Sequence, residues 1–188
     1  MAKIGFEYVC AAELTENEST GEFSYKDGKY LGPSAGITLN TNNNDVKDYG
    51  DDRTVASDTT LNNITLSLEI NEFSTKLNAW LLGHAYNEEK RSMKTNTEDV
   101  APNMGVGFIG KSLNTENKLV YRSVLLYKCK FAEPSDENTT KGESTTFNHT
   151  TIEGTATPLA NHDIKDQAEF DTLEEAKEWI NDQLGIVA

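Results

Sequence analysis

The chain has 188 residues and a formal net charge of -14, from 31 acidic against 17 basic side chains. That length suits one domain able to bury a real core, while a hydrophobic share of 36% is low and points to a thin core with much of the chain in loops. A surface this acidic repels duplex nucleic acid and anionic membranes, which excludes a DNA-gripping role but not an acidic wall that DNA slides past.

Cys10 and Cys129 form no Cys-x-x-Cys pair and are expected to be reduced thiols, Cys129 in the core. The opening Met-Ala-Lys-Ile-Gly-Phe-Glu lacks a signal peptide's apolar run. No segment approaches the ~20 apolar residues of a membrane span. A soluble chain made in the cytoplasm is therefore expected, and the Asn-x-Ser/Thr matches at Asn17, Asn63, Asn138 and Asn148 read as chance.

In chain order, residues 3–10 alternate weakly, with Ile4, Phe6 and Tyr8 expected on one strand face. Tyr25-Lys26-Asp27-Gly28-Lys29-Tyr30 reads as a hairpin with an Asp-Gly turn, and Gly36 to Asn40 as a short strand. Thr41 to Arg53 has almost no apolar content and no helical period, so a long loop is expected across 41–58. Loops of that length in a compact domain are functional or disordered. Its carboxylates invite a calcium reading, but Asp45-x-x-Asp48-x-Gly50 does not fit EF-hand spacing. A solvated, partner-facing loop is the better expectation.

The cleanest strand follows, with Ile64, Leu66, Leu68 and Ile70 facing one way and Thr65, Ser67, Glu69 and Asn71 the other. Ser74 is a good N-cap for a short helix through Leu82, stopped by Gly83, with Leu77, Trp80 and Leu81 on one face. His84, just beyond it, reads as a capping or hydrogen-bonding residue; no metal-ligand spacing links it to His149 or His162. Residues 87–98 read as a polar loop. Gly105-x-Gly107-x-x-Gly110 superficially matches a dinucleotide fingerprint, but no βαβ frame surrounds it, and a Gly-rich strand starting after Pro102 is expected.

Val120 to Ala156 is the organising stretch: a long strand, a turn-rich loop through Glu133-Pro134-Ser135-Asp136, and a Thr-rich return strand in which Gly154 marks a bulge or close backbone approach. Tyr121, Leu125, Tyr127, Cys129 and Phe131 are expected on one face of the first strand, and Val120, Val124 and Leu126 on the other. Apolar residues on both faces indicate a central strand. Asn161 to Gln167 reads as a polar linker. Thr172-Leu173-Glu174-Glu175 is a capping box opening a helix with Leu173, Ala176, Trp179/Ile180 and Leu184 at helical spacing, closed by Gly185. Residues 163–188 carry a net charge of -6. The expected organisation is a β domain over 1–160 and an acidic linker and amphipathic helix over 161–188. That helix docks on its own domain or on a neighbour, and is dispensable for any assembly.

No Gly-x-Ser-x-Gly elbow, P-loop, His-Glu-x-x-His or zinc knuckle occurs, so no catalytic residue, cofactor or metal is assigned. Composition alone reads as acidic and mostly β, a class open to assembly by edge pairing or loop exchange.

Six stretches then stand in order: Tyr49-Gly50-Asp51-Asp52, Ile64 to Glu69, Leu81-Leu82-Gly83-His84-Ala85-Tyr86, Asp99-Val100-Ala101-Pro102, Leu126 to Ser135, and Thr140-Lys141-Gly142-Glu143-Ser144. No single one is specific; their order and spacing over roughly residues 4–158 resemble the major tail proteins, the tail tube subunits of long-tailed, non-contractile phages and prophages of Gram-positive bacteria. The acidic segment beyond about Asn161 lies outside that resemblance. The resemblance implies a mainly β (α+β) fold, a β-sandwich or half-barrel with one flanking helix, and a structural rather than catalytic role. It implies homo-oligomeric rings, six subunits each, stacked into a tube around the tape measure protein. Tail tip and tail terminator proteins are further expected partners, with transient DNA passage through an acidic lumen and no membrane. It also implies that the 41–58 loop reaches a neighbouring subunit, with Asn43, Asn44, Asp45, Val46, Lys47, Asp48, Tyr49, Asp51, Asp52 and Arg53 as contact residues. The competing expectations are a monomeric β-sandwich binding module, for instance for carbohydrate, and a subunit of a secretion-type injection tube.

Overall fold

The computed structural model describes residues 2–17, 19–50, 53–134 and 149–186, with the backbone alone at 45–50 and 53–58. In chain order the described elements are β1 (Ala2–Asn17), β2 (Glu22–Tyr30), β3 (Ser34–Gly50), β4 (Arg53–Ile70), α1 (Thr75–Leu82), β5 (Ala85–Asn87), β6 (Ser92–Lys94), β7 (Met104–Leu113), β8 (Leu119–Phe131), β9 (Thr150–Ala156), β10 (Lys165–Phe170) and α2 (Leu173–Leu184). The main sheet runs β2-β1-β7-β8-β9-β4-β3, all neighbours antiparallel, and β10 also pairs with β8.

β8 is forked. Residues 121–126 pair with β10, and Cys129–Phe131 pair with β9. The Tyr127 N–H donates to Ile164 O, while Lys128 O accepts from the Thr157 N–H. The sheet thereby folds over on itself into a β-sandwich, or half-barrel. Its interior is one apolar cluster: Ile64, Leu66, Leu68 and Ile70 of β4 meet Val106 and Phe108 of β7 and Val124 and Leu126 of β8, with Leu81 and Leu82 of α1 closing one end. The strict alternation of β4 buries its four apolar side chains completely. A second cluster lies on the opposite face of β1, β7 and β8, where Cys10, Ala12, Ile109 and Leu125 pack under Ala176, Ile180 and Leu184 of α2. β8 is therefore the central, doubly covered strand that its sequence indicates.

Three bulges correct the expected faces. β8 carries one extra residue against β7 between Leu126 and Cys129. A single inserted residue reverses a strand's facing, so Cys129 and Phe131 join the interior cluster with Leu126 rather than sharing the outer face with Leu125. β1 shifts between Glu7 and Cys10, with Tyr8 at φ 56. Phe6 therefore points into the sandwich and Tyr8 toward α2, rather than sharing a face. In β2 the Asp27-Gly28 pair is a bulge and not a hairpin turn: Asp27 takes φ 53, and the register slips by one between Ala11 and Glu13. The β1–β2 turn includes residues 19–21, with Gly21 at φ 73. Asp-Gly has the same left-handed tolerance in a bulge as in a turn.

Both helices take the caps the sequence indicates. Ser74 and Thr172 accept from the N–H groups of Leu77 and Glu175, and Gly83 and Gly185 adopt the left-handed conformation. The polar linker expected over 161–167 gives way at Lys165 to β10, which fills the pairing edge of β8 left open where β9 diverges. Residues 87–98, expected to be loop throughout, include the small β5–β6 hairpin with Arg91 at φ 48. Gly154 resolves as a close approach, since a Cβ there would come within 2.8 Å of Cys129 Sγ. The expected turn-rich loop and the first part of the return strand, from Ser135 to Asn148, lie outside the described residues.

Candidate subunit-contact surfaces

The long loop expected over 41–58 is instead a β-ribbon. β3 and β4 pair from Ser34↔Ile70 out to Gly50↔Arg53, whereas β9 covers β4 only from Ile64 to Ile70. Beyond Ile64 the two strands pair with each other and, among the described residues, with no third strand. The nine residues from Asn42 to Gly50 span ~30 Å at about 3.3 Å each. Hydrophobic alternation is the sequence signal of a half-buried strand, and the sequence of the ribbon shows none. A signal was present in the β-branched Thr54-Val55 and Thr59-Thr60 pairs after Tyr49-Gly50-Asp51. At its base, Asn42 Nδ2 donates to Asn63 Oδ1 at 2.7 Å and to Thr65 Oγ1 at 3.0 Å. Of the expected contact residues, Asn43 to Tyr49 and Arg53 lie on the paired strands, and Asp51 and Asp52 lie outside the described residues.

A second surface was invisible in the sequence. A cleft of about 740 Å³ opens between the β3 edge and the β1-β7-β8-β10 side of the sandwich. Its floor is apolar, built from Phe6, Ile37, Leu39 and Phe108. Lys3, Lys111, Arg122 and Lys165 also line it, and among the described residues no acid does. Lys111 Nζ lies 2.9 Å from Glu7 Oε1, and Arg122 donates to Glu169 Oε1 from Nε at 3.1 Å and Nη2 at 2.7 Å. Lys3 and Lys165 have no carboxylate partner among the described residues. Four cations from four strands thus meet on a chain of net charge -14. Positions 3, 111, 122 and 165 have no spacing in common, so only the antiparallel pairing of these strands brings them together.

His84 confirms its hydrogen-bonding reading. Its side chain is 5% exposed, with Nδ1 2.8 Å from Asp99 Oδ2 and Nε2 2.5 Å from Glu133 Oε1. Two carboxylates on one ring favour the imidazolium, which alone donates from both nitrogens. Its pKa is raised, chiefly by the Asp99 bond, and that bond holds Asp99 below the usual range. The clamp ties the end of α1 to the loop before β7 and to the residues after β8. Cys10 and Cys129 are both free and buried, and burial pushes each thiol up to about 12. Neither is a nucleophile at neutral pH.

No described helix is long and apolar enough to cross a membrane. No curated protein matches the chain significantly. A family model described as phage tail tube protein matches residues 21–184. That match extends through β10 and the whole of α2, where the motif resemblance stopped near Asn161. The structural role implied by the motif order, in the tail of the virion, and the β-sandwich described above agree with this match: the chain belongs to the phage tail tube protein family.

Proposed function

We propose that this tail tube protein assembles as stacked, six-membered rings into the tube through which phage DNA is delivered, in a non-contractile tail of a phage or prophage of Gram-positive bacteria. Subunits polymerise in the host cytoplasm around the tape measure protein, between the tail tip and tail terminator proteins, and DNA passes through an acidic lumen without specific binding. The protein is structural, with no reaction of its own.

The observation that supports this most is the two-stranded ribbon beyond Ile64. An isolated two-stranded hairpin is marginal in water, so a ribbon of this length gains order from a partner. Among the described residues, the strands at both ends of the sheet order, β2 and β3, carry edges open to further pairing. Residues 43–53 are the subunit contact in this reading.

Negative-stain electron microscopy of the purified chain across a concentration series tests it. Hollow tubes or rings are the expected result, and replacing residues 44–60 with an Asn-Gly turn should give a folded monomer that forms neither. Small monodisperse particles that persist with the tape measure and tail tip proteins present would overturn the reading in favour of a monomeric binding module.

A further inference from the structure

We infer that the basic cleft is the receptor for the β3–β4 ribbon of a neighbouring copy, an inference that rests on the tube reading. Residues 42–61 hold five acids (Asp45, Asp48, Asp51, Asp52 and Asp58) against Lys47 and Arg53, a net charge of -3. Opposite signs at two surfaces of one chain are what a head-to-tail contact needs, since each copy then donates one and offers the other. The cleft supplies the second requirement, an apolar floor from Phe6, Ile37 and Leu39, against which Val46, Tyr49 and Val55 of the incoming ribbon supply apolar side chains. Along its wall runs the outer edge of β3, which pairs with no other strand among the described residues and offers itself to an added strand. Duplex DNA, the other polyanion at hand, is disfavoured by the -14 charge of the chain around the cleft.

The test combines crosslinking with a charge swap. Tubes grown from the wild-type chain, with tape measure and tail tip proteins if needed, are treated with a zero-length carbodiimide and digested for mass spectrometry. Intersubunit links from Lys3 or Lys165 to Asp45, Asp48, Asp51, Asp52 or Asp58 are expected; ribbon links only to other surfaces would overturn the cleft assignment. The double variant Lys3→Glu/Lys165→Glu should need about tenfold more protein for half-assembly, with unchanged circular dichroism. Adding Asp45→Lys/Asp48→Lys should restore assembly. If the double variant assembles like wild type, the cleft is not the receptor although the tube reading stands; if the wild-type chain never forms tubes, both fall. A labelled DNA duplex that binds the wild-type chain and is released by the double variant would also overturn the inference.

Discussion

Gly107 lies beneath Ile180: a Cβ on Gly107 would come within 2.7 Å of Ile180 Cγ2. Glycine here is a requirement of packing, because α2 sits so close to β7 that the side chain's place is already taken. A Cβ on Gly105 would likewise meet the Tyr25 ring and Leu184. Gly107→Val should therefore cost about 1–3 kcal/mol by overpacking. The control is Gly110→Ala, where the nearest atom is Arg122 O at 3.8 Å, and its effect should stay within about 1 kcal/mol. Urea denaturation of both variants checks the contrast.

Truncation after His162 removes β10 and α2. It strips the cover from Ile109 and Leu125, and takes away the acceptor of the Ser123 hydroxyl, which donates to Ala176 O at 2.9 Å. The segment expected from its sequence to be dispensable is, in this structure, the lid of a second core. The truncated chain should aggregate or lose cooperative unfolding, and Ile180→Ala alone should cost about 2–5 kcal/mol. A soluble truncation with an unchanged denaturation midpoint would contradict this.

Much of this architecture was legible wherever burial writes a period into the sequence. The alternation of Ile64, Leu66, Leu68 and Ile70, the Ser74 and Thr172 caps, the Gly83 and Gly185 stops and the two-faced apolar content of β8 all appear where expected. Bulges were not legible: nothing in Tyr127-Lys128 announces an inserted residue, since a bulge is decided by what the neighbouring strand offers. The ribbon and the cleft escaped for different reasons. The ribbon's sequence carries no hydrophobic alternation, and the cleft exists only through pairings between residues far apart in the chain.

The clamp on His84 makes stability depend on pH with a definite sign. A pKa raised on folding contributes stability that is complete below the unfolded value of about 6.5 and is lost as pH rises through the folded value. Asp99, held low by the same bond, contributes above its unfolded value and loses that contribution as pH falls through its folded one. The wild-type urea midpoint should fall as pH rises from about 6.5 through the raised folded value of His84. His84→Gln should flatten that slope while leaving the acid limb governed by other carboxylates.

Glu16 is the best-paired carboxylate of the described residues. Its side chain is 6% exposed; Oε2 accepts from Lys128 Nζ at 2.6 Å and Oε1 from the Ala160 N–H at 2.7 Å. The Lys128 bond holds its pKa below the usual range. Lys128→Met keeps the stem but leaves the carboxylate short of its strongest partner, and should cost about 1–3 kcal/mol at pH 7. The loss should shrink as pH falls from the usual carboxylate value through the lowered folded value of Glu16, because the Glu16–Lys128 contribution is itself lost over that interval. Guanidinium denaturation at pH 7 and pH 4 separates the two cases.

Tyr8 donates to Asn181 Oδ1 at 2.7 Å across 173 residues of chain, and Cys10 Sγ to Gly107 O across 97. Contacts of such separation make folding slow, because the loops must close before they are rewarded. They also impose an order in time. The ribbon is synthesised early, while the outer face of β1, β7 and β8 stays uncovered until α2 has left the ribosome and docked. A growing chain therefore carries β3 and β4 long before its own fold can close. Completion of the fold therefore waits on the arrival of that helix, the last described element of the chain to be made.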